Sequence, residues 1–402
     1  MNKKVYMDYS ATTYTKPEVL QEMIPYFTEN FGNPSSLYSM SDAPREAINT
    51  ARQRVAKAIN ADKNEIFFTA GGSESDNWIL KGIAFANKNK GNHIITTKIE
   101  HHAILHACKF LEKNGFEVTY LPVDEYGFIN LEDLKNAIKD TTILVSIMFA
   151  NNEVGTIQPI KEIGEICKEK KIYFHTDAVQ AVGHVNIDVK DMNIDALSMA
   201  GHKFYGPKGI GAMYLRKGIK IENLIHGGAQ ERGKRASTEN VPGIVGIGKA
   251  IELATSEMET ESKRLSELRD KLIKGLVEAI PYAKVNGPSG DKRLPGNVNL
   301  SFIGIEGETL LLDLNDAGIF VSTGSACASA SLDPSHVLLA LGLPHEVAHG
   351  SLRLTLGAGT TEEDVDYALQ VIPKVVARRR AMSPLWEDFL KTQNKGEKVE
   401  QL

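Results

Sequence analysis

The sequence predicts an α/β fold with a parallel sheet covered by helices on both faces, followed by a smaller α+β section. Helix and strand patterns alternate from about residue 15 to residue 215. The strands are short continuous apolar runs, which is typical of parallel strands buried on both faces. Near residue 245 the alternation gives way to one long helical pattern rich in Ala, Glu, Lys and Leu. Ligands of such sheets bind at the carboxyl ends of strands, so we expect the functional residues there.

Each element of the first half has its own signal. Thr15, Pro17 and Glu18 predict the start of one helix, and Asn130 predicts the cap of another. The predicted strands are 66–69, 94–96, 118–121, 143–149 and 172–174, and the predicted helices include the stripe from 47 to 59, 131–138 and 160–170.

The second half of the chain has a different pattern of predicted helices and strands. A long helix is predicted over 245–276 and contains the domain junction, and strands follow at 298–302, 320–321 and 352–356. Asp333 and Pro334 predict one helix start, and Thr360 with Glu363 predicts a capping box for the next helix. Residues 383–402 lose periodicity and gain Lys, Glu and Gln, so we expect a loosely ordered tail.

Composition excludes several classes of protein. The 402 residues include 46 Lys and Arg and 51 Asp and Glu, a net charge of −5, which argues against nucleic-acid binding. Three cysteines, an odd number, argue against a disulfide scaffold and favour a reducing, cytoplasmic location. The start MNKKVYMDYS has no apolar core of a signal peptide, and no run approaches 18 apolar residues. The length favours two domains.

Two candidate binding motifs follow predicted strands. The run Gly71-Gly72-Ser73-Glu74-Ser75-Asp76 opens a helix, where free N–H groups and the helix dipole favour an anion; an ordinary capped helix start is the alternative. No Gly-Lys-Ser/Thr follows, so it is not a Walker loop. Asp177, with Gln180 three residues on, offers a carboxylate for a protonated ring nitrogen; a helix cap is the alternative.

Three further residues add basic and aromatic groups. Lys203 follows an apolar strand among small residues, where partial desolvation favours a free amine for a Schiff base, whereas Lys208 suits a surface turn. Arg353 alternates with leucines on a strand and suits a carboxylate, with an internal salt bridge as the alternative. His101 precedes another histidine without a ligand set for zinc, and its aromatic ring could instead stack on a planar cofactor.

Cys327 lies among Gly, Ser and Ala residues that cannot anchor a core, so we expect an exposed, mobile loop and a reactive thiol. Cys108 and Cys167 lie in helical stretches and suit packing. An anion cradle, a carboxylate for a ring nitrogen, a Schiff-base lysine, a stacking histidine and a carboxylate-binding arginine together describe pyridoxal phosphate bound to an amino acid.

The whole chain resembles the NifS/IscS-type cysteine desulfurases, class-V aminotransferase-like enzymes of fold type I. The matching segments are 6–13 (YMDYSATT), 32–36 (GNPSS), 74–77 (ESDN), 151–155 (NNEVG), Asp177 with Gln180, 201–203 (GHK) and 324–327 (GSAC). The resemblance implies a large domain over 15–260 with a mixed, mainly parallel seven-stranded sheet. It also implies a smaller α+β domain formed by 1–14 and 261–382, and a homodimer with sites at the subunit interface.

The resemblance also implies residue roles. Lys203 would hold pyridoxal phosphate as a Schiff base and then remove the substrate's α-proton, Cys327 would attack the substrate's sulfur, and His101 would stack on the ring and assist with proton transfer. The cofactor-binding residues would be Gly72, Ser73, His101, Asn152, Asp177, Gln180, His202, Lys203 and Thr238, with Thr238 supplied by the other protomer. The substrate-binding residues would be Asn33, Asn152 and Arg353. No resident metal is implied, apart from an iron–sulfur cluster that Cys327 could share transiently with a scaffold.

The implied reaction converts L-cysteine to L-alanine and leaves a persulfide on Cys327. A U-type iron–sulfur scaffold or another sulfur acceptor would then take the sulfur, docking near the tail around Trp386. A selenocysteine lyase or an aminotransferase of the same fold, and a non-enzymatic sulfur carrier, are the alternatives. One departure concerns Ala200, where relatives commonly have a serine whose hydroxyl helps to bind phosphate.

Overall fold

A seven-stranded mixed sheet forms the centre of the larger part of the molecule. The computed structural model describes residues 3–323 and 334–394. The strands of the central sheet are β2 (Ile66–Thr69), β3 (His93–Thr97), β4 (Glu117–Leu121), β5 (Thr142–Ser146), β6 (Tyr173–Asp177), β7 (Ala196–Ala200) and β8 (Gly211–Leu215). Their order is β2-β8-β7-β6-β5-β3-β4, with β8 antiparallel to both of its neighbours and all other pairs parallel. The predicted mainly parallel α/β sheet is confirmed.

Helices cover both faces of this sheet, as the apolar strands require. The helices are α1 (Pro17–Met23), α2 (Pro25–Thr28), α3 (Asp42–Ala58), α4 (Gly72–Ala86), α5 (His102–Lys113), α6 (Leu131–Ala137), α7 (Ile160–Lys170), the short turn α8 (Gln230–Gly233) and α9 (Val241–Ala279). Neighbouring strand residues contribute to opposite cores: Tyr214 packs in the core beneath α3 and α9, and Met213 packs in the core beneath α4 and α5. This is the period-two alternation of a strand buried on both sides.

The smaller part contains two further sheets. Their strands are β1 (Val5–Tyr6), β9 (Ala283–Val285), β10 (Asn297–Phe302), β11 (Ile319–Phe320) and β12 (Ser351–Thr355), and their helices are α10 (Gly307–Asp316), α11 (His336–Ala340), α12 (His345–His349), α13 (Glu362–Arg380) and α14 (Pro384–Asn394). Strand β10 lies between β9 and β12 in an antiparallel sheet, and β1 pairs in parallel with β11. Val5 and Met7 share one core with residues between Leu265 and Val376. The proposed division at residues 14/15 and 260/261 stays a prediction, and α9 runs through the second boundary.

Three predicted helix starts and the predicted tail differ from the structure. Thr15 does not cap α1, because its Oγ1 donates to the Gly206 carbonyl instead. The capping box of α13 is formed by Thr361 and Asp364, one residue later than predicted. Ser335 caps α11, and Asp333 lies outside the described residues.

The prediction of a loosely ordered tail is wrong for residues 384–394, which form α14. Aromatic packing holds this helix: the ring of Tyr282 lies 5.9 Å from that of Trp386 and 5.0 Å from that of Phe389. Arg380 also lies over the Trp386 ring, at 4.1 Å. No helix among the described residues is both long and apolar enough to cross a membrane.

Candidate active site

A cavity of about 320 Å³ opens where β6 and β7 end and α4 begins. This is the expected edge of a parallel sheet. The predicted site residues that line it are Gly72, Ser73, His101, Asn152, Asp177, Gln180, His202, Lys203 and Arg353. Residues separated by more than 280 positions in the chain therefore meet at one site.

Two predicted site residues are not brought into this cavity within one chain, and a third lies outside the described residues. Asn33 is exposed, and its Oδ1 accepts a hydrogen bond from the Ser35 amide at 2.9 Å. Thr238 is exposed on the segment between α8 and α9. Cys327 lies outside the described residues. Their roles stay predictions.

Lys203 ends a short turn, Gly201–Lys203, that directly follows β7. Its Nζ donates to the carbonyl oxygens of Ser10 at 2.5 Å and Ala11 at 2.9 Å. The side chain of Gln180 donates to the same Ser10 carbonyl at 3.0 Å. The amine is thus held at the cavity wall by the N-terminal segment of the chain, half-buried, as the prediction of a partly desolvated lysine requires.

Asp177 is the last residue of β6 and is buried at the cavity wall. Its Oδ1 accepts a hydrogen bond from the Val179 amide at 2.9 Å, but residues 179–184 form turns, so Asp177 does not cap a helix as the alternative prediction proposed. Burial raises the pKa of Asp177, while His101 and Lys203 oppose that rise. A buried carboxyl of this kind gains most from a cationic partner in the cavity.

Three more buried carboxyl groups line the same cavity, those of Asp76, Glu100 and Glu153, and sequence reasoning gave none of them a role in the site. Burial raises the pKa of Asp76, on α4, well above its usual range, with a further contribution from Asp177. Burial also raises the pKa of Glu100 to about 8. The Nε2 of His175, on β6, lies 3.8 Å from Asp76 Oδ1, and burial lowers the pKa of His175 to about 3, so it is a neutral neighbour rather than a counter-ion.

His101 caps α5, and this cap fixes its ring nitrogens. Nδ1 accepts the Ala103 amide at 3.1 Å, so in the neutral ring Nε2 carries the proton. Burial lowers the pKa of His101, which keeps the ring neutral and suited to stacking on a planar group. His102 and His336 lie beside it, with ring centroids 4.8 Å apart. No group of three or more His, Cys, Asp and Glu residues suited to a metal occurs within residues 3–323 and 334–394.

The start of α4 forms the other end of the cavity. Gly72 is buried there, where a side chain would meet Val179 Cγ2 at 2.6 Å, and Ser73 is exposed. His202 lines the same end; burial lowers its pKa to about 4, and its Nδ1 lies 3.1 Å from Thr12 Oγ1. An adjoining hollow of about 510 Å³ continues from these residues past Lys208. A helix N-terminus, a hydroxyl and a lysine make this end suited to an anion.

Arg353 projects from β12 into the opposite side of the cavity and is almost fully buried. Its Nη2 donates to Asp8 Oδ1 at 2.9 Å and its Nη1 donates to the Asn152 carbonyl at 3.2 Å. The internal salt bridge that the sequence left open is therefore present, and it fixes the guanidinium where it lines the cavity. Guanidinium has five N–H donors, so an anchored arginine can also bind a carboxylate.

Cys108 and Cys167 are buried in α5 and α7, as predicted for packing residues. Burial raises the pKa of the Cys108 thiol to about 12 and raises that of Cys167 further. Neither thiol forms a thiolate readily, so neither is suited to nucleophilic attack.

Comparisons with known proteins agree with this geometry. Residues 5–368 match the family model described as aminotransferase class-V. Cysteine desulfurase IscS of Clostridium botulinum (strain Hall) is 74% identical over 399 residues, covering 99% of this chain and 100% of that protein. Cysteine desulfurase IscS of Methanosarcina thermophila is 64% identical over 384 residues, covering 96% and 95% of the two chains.

Solved structures give the same result. A NifS-like protein superposes with a TM-score of 0.88 at 42% identity, covering 93% of this chain and 100% of that one. The structure described as SspA in complex with cysteine gives a TM-score of 0.78 at 38% identity, covering 88% and 99%. The resemblance noted in the sequence is therefore confirmed over the whole fold, and the chain belongs to the class-V aminotransferase family and, within it, to the NifS/IscS-type cysteine desulfurases.

Proposed function

We propose that this cavity is the active site of a pyridoxal-phosphate-dependent cysteine desulfurase in which Lys203 is the catalytic amine. The chain is a cysteine desulfurase of the class-V family, with pyridoxal phosphate as its cofactor. The observation that carries the residue assignment is the meeting of Lys203, Asp177, His101 and Arg353 around one cavity. These are the four kinds of group that an amino-acid substrate and a protonated pyridine ring require.

The donor set of the cavity fits the cofactor. The pKa of Asp177 is raised by burial, and a protonated ring nitrogen beside it would offset the cost of that buried charge. Gly72, Ser73 and His202, at the start of α4, would hold the phosphate, and Gln180 would face the phenolic oxygen. His101 and Asn152 would contact the ring, and Lys203 would hold the aldehyde carbon. When bound, the cofactor supplies an electron sink for the carbanion formed at the substrate's α-carbon.

The protein groups then have separate tasks. Arg353, oriented by Asp8, binds the substrate carboxylate together with Asn152, with Asn33 nearby. Lys203 Nζ, steered by the carbonyls of Ser10 and Ala11, removes the α-proton.

His101, neutral and with its proton on Nε2, is placed to assist proton transfer at the substrate's sulfur. The thiolate of Cys327 attacks that sulfur. The bond between that sulfur and the β-carbon breaks, and its electron pair stays with the β-carbon, which gains a proton. Lys203 returns a proton to the α-carbon, and alanine leaves while Cys327 carries the persulfide.

The exposed surface supports a homodimer. Large apolar side chains are exposed on α1, α2 and the segment that follows them, namely Leu20, Ile24, Phe27, Phe31, Leu37, Tyr38 and Met40. Exposed large apolar side chains that follow one another closely along the chain are typical of a protein–protein interface, and a second copy of the chain is the proposed partner. The same assembly would let the exposed Thr238 and Asn33 reach a cavity.

The sulfur acceptor is proposed to be a U-type iron–sulfur scaffold or another acceptor protein, binding near α14. The indole of Trp386 is packed within the chain, so the exposed Leu385 and Leu390 are the apolar side chains that α14 offers to such a partner. A cytoplasmic location remains part of this proposal.

The decisive experiment measures the products of cysteine in the absence of any keto acid. The wild-type protein should form alanine and a protein-bound persulfide, and Lys203→Ala should form neither. Alanine formation that requires a keto-acid acceptor would instead identify an aminotransferase. Alanine formation by Lys203→Ala at the wild-type rate would refute the assignment of Lys203.

A further inference from the structure

We infer that Thr13 is a positioning residue for Lys203, acting by clamping the backbone on both sides of that lysine. This inference rests on the proposed role of Lys203. Thr13 lies outside the cavity lining and is buried. Its hydroxyl donates to the His202 carbonyl at 3.0 Å and accepts the Tyr205 amide at 2.9 Å. One hydroxyl therefore bridges the residue before Lys203 and the second residue after it.

Backbone contacts reinforce the same clamp. The Thr13 amide donates to the His202 carbonyl at 3.0 Å, so that carbonyl accepts two bonds from one residue. The Lys16 amide donates to the Tyr205 carbonyl at 3.1 Å. The segment from Ser10 to Lys16 thus binds the backbone on both sides of Lys203. The carbonyls that bind Lys203 Nζ come from the same segment.

The backbone that follows Lys203 needs a clamp because it is strained at Tyr205. Tyr205 has φ of +67°, in the left-handed region that a large side chain rarely adopts. Such a conformation persists only where the surroundings over-determine it. The bond that Thr13 Oγ1 accepts is made by the amide of this same residue, so loss of the hydroxyl should release the turn and widen the range of positions open to Lys203 Nζ.

Replacing Thr13 with valine tests the contribution of the hydroxyl alone. Thr13→Val keeps the shape of the side chain and the backbone bond to His202, but removes both hydroxyl bonds. Thr13→Ser keeps the hydroxyl. Thr15→Val is the matched control, because the Thr15 hydroxyl makes only a long bond of 3.4 Å, to the Gly206 carbonyl.

The readout is the coupling of pyridoxal phosphate to Lys203 in the apoprotein, trapped with borohydride and located by peptide mass. In Thr13→Val the coupling rate should fall about tenfold, which corresponds to 1.4 kcal/mol. Pyridoxamine 5′-phosphate carries the same ring and phosphate but cannot bond to Lys203. Its affinity should change by less than about threefold, because the inference predicts a misplaced amine and not a damaged cavity. Thr13→Ser and Thr15→Val should couple at nearly the wild-type rate.

The outcomes separate the inference from the proposed function. Wild-type protein that does not couple at Lys203 would refute the proposed function itself. Wild-type coupling at Lys203 with equal coupling in Thr13→Val would refute the clamp alone. Equal slowing in Thr13→Val and Thr13→Ser, or a parallel loss of pyridoxamine 5′-phosphate affinity, would assign Thr13 a packing role instead. If Thr13→Val does not fold, Thr13→Ala replaces it, compared with Thr13→Ser by the same two measurements.

Discussion

Replacing Glu100 with glutamine should change how the stability of the apoprotein depends on pH. This carboxyl is fully buried, and its Oε1 accepts bonds from Thr97 Oγ1 at 2.8 Å and the Met148 amide at 3.0 Å. Burial raises its pKa from 4.5 to about 8, and Asp177 adds to the rise. Between pH 4.5 and about pH 8 the folded protein therefore keeps the proton of the Glu100 carboxyl, whereas the unfolded chain has released it.

The direction and the size of this pH dependence follow from the linkage between proton binding and folding. Between the two pKa values the unfolded state binds fewer protons, so the free energy of unfolding falls by about 1.4 kcal/mol per pH unit as pH rises. Across the interval from 4.5 to about 8 the accumulated loss approaches roughly 5 kcal/mol. Below this interval the Glu100 carboxyl is protonated in both the folded and the unfolded state, and above it the carboxyl is ionised in both. The change in the free energy of unfolding is therefore confined to this interval. Glutamine keeps the acceptor oxygen and has no proton to release, so this component of the pH dependence should disappear.

Urea unfolding of the two apoproteins tests this at one protein concentration, in steps of about one unit from about pH 5.5 to pH 8.5. The difference in unfolding free energy between Glu100→Gln and wild type should move in favour of glutamine by about 1.4 kcal/mol per unit until it levels off near pH 8. Glu165→Gln, an exposed glutamate on α7, is the control and should follow the wild-type curve. A difference that is constant across the range would refute the assignment of a buried neutral Glu100.

Three further predictions concern the thiol, the phosphate and assembly. Cys327→Ser should keep the absorption of the bound cofactor and still bind cysteine, but mass spectrometry should find no persulfide; added mass on either of the other two cysteines would contradict the choice of nucleophile. Ala200→Ser should tighten pyridoxal phosphate binding by about tenfold at most, because a water can replace much of one hydrogen bond; equal or weaker binding would mean that the side chain does not reach the phosphate. Mixing Lys203→Ala chains with Thr238→Val chains should restore activity if Thr238 acts across the dimer, and no recovery after confirmed exchange, with Thr238→Val itself impaired, would favour a site within one chain.

Local signals in the sequence were enough to place much of the site. Asp177, Lys203 and the glycines that begin α4 each follow a recognisable strand, and parallel strands bring such ends to one edge. The position of His101 at the cavity has the same origin, because it follows β3. These residues could be found because the chemistry and the strand signal lie within a few residues of each other.

The residues that were missed depend on contacts between distant parts of the chain. Asp8 and Arg353 form their salt bridge across 345 positions, and no local pattern pairs them. Asp76 was quoted only as part of a helix start, although its position four residues after Gly72 places it on the same helix face. No sequence pattern indicated the role of the Thr13 hydroxyl, since threonine occurs in every kind of structure.

The N-terminal segment also determines when the cavity is completed during synthesis. It leaves the ribosome first, yet β1 pairs with β11, more than 300 residues later, and Thr355 then holds the Met7 carbonyl and the Ser10 amide. Domains generally fold as they emerge, so the large sheet can form before β11 and Thr355, which bind this segment, have been synthesised. Lys203 is therefore translated near the middle of the chain, whereas Arg353, on the opposite side of the cavity, is translated almost at the end. A nascent chain stopped before β12 would lack Arg353 and the bonds of Thr355 to the N-terminal segment, so the cavity is complete only when nearly the whole chain has been synthesised.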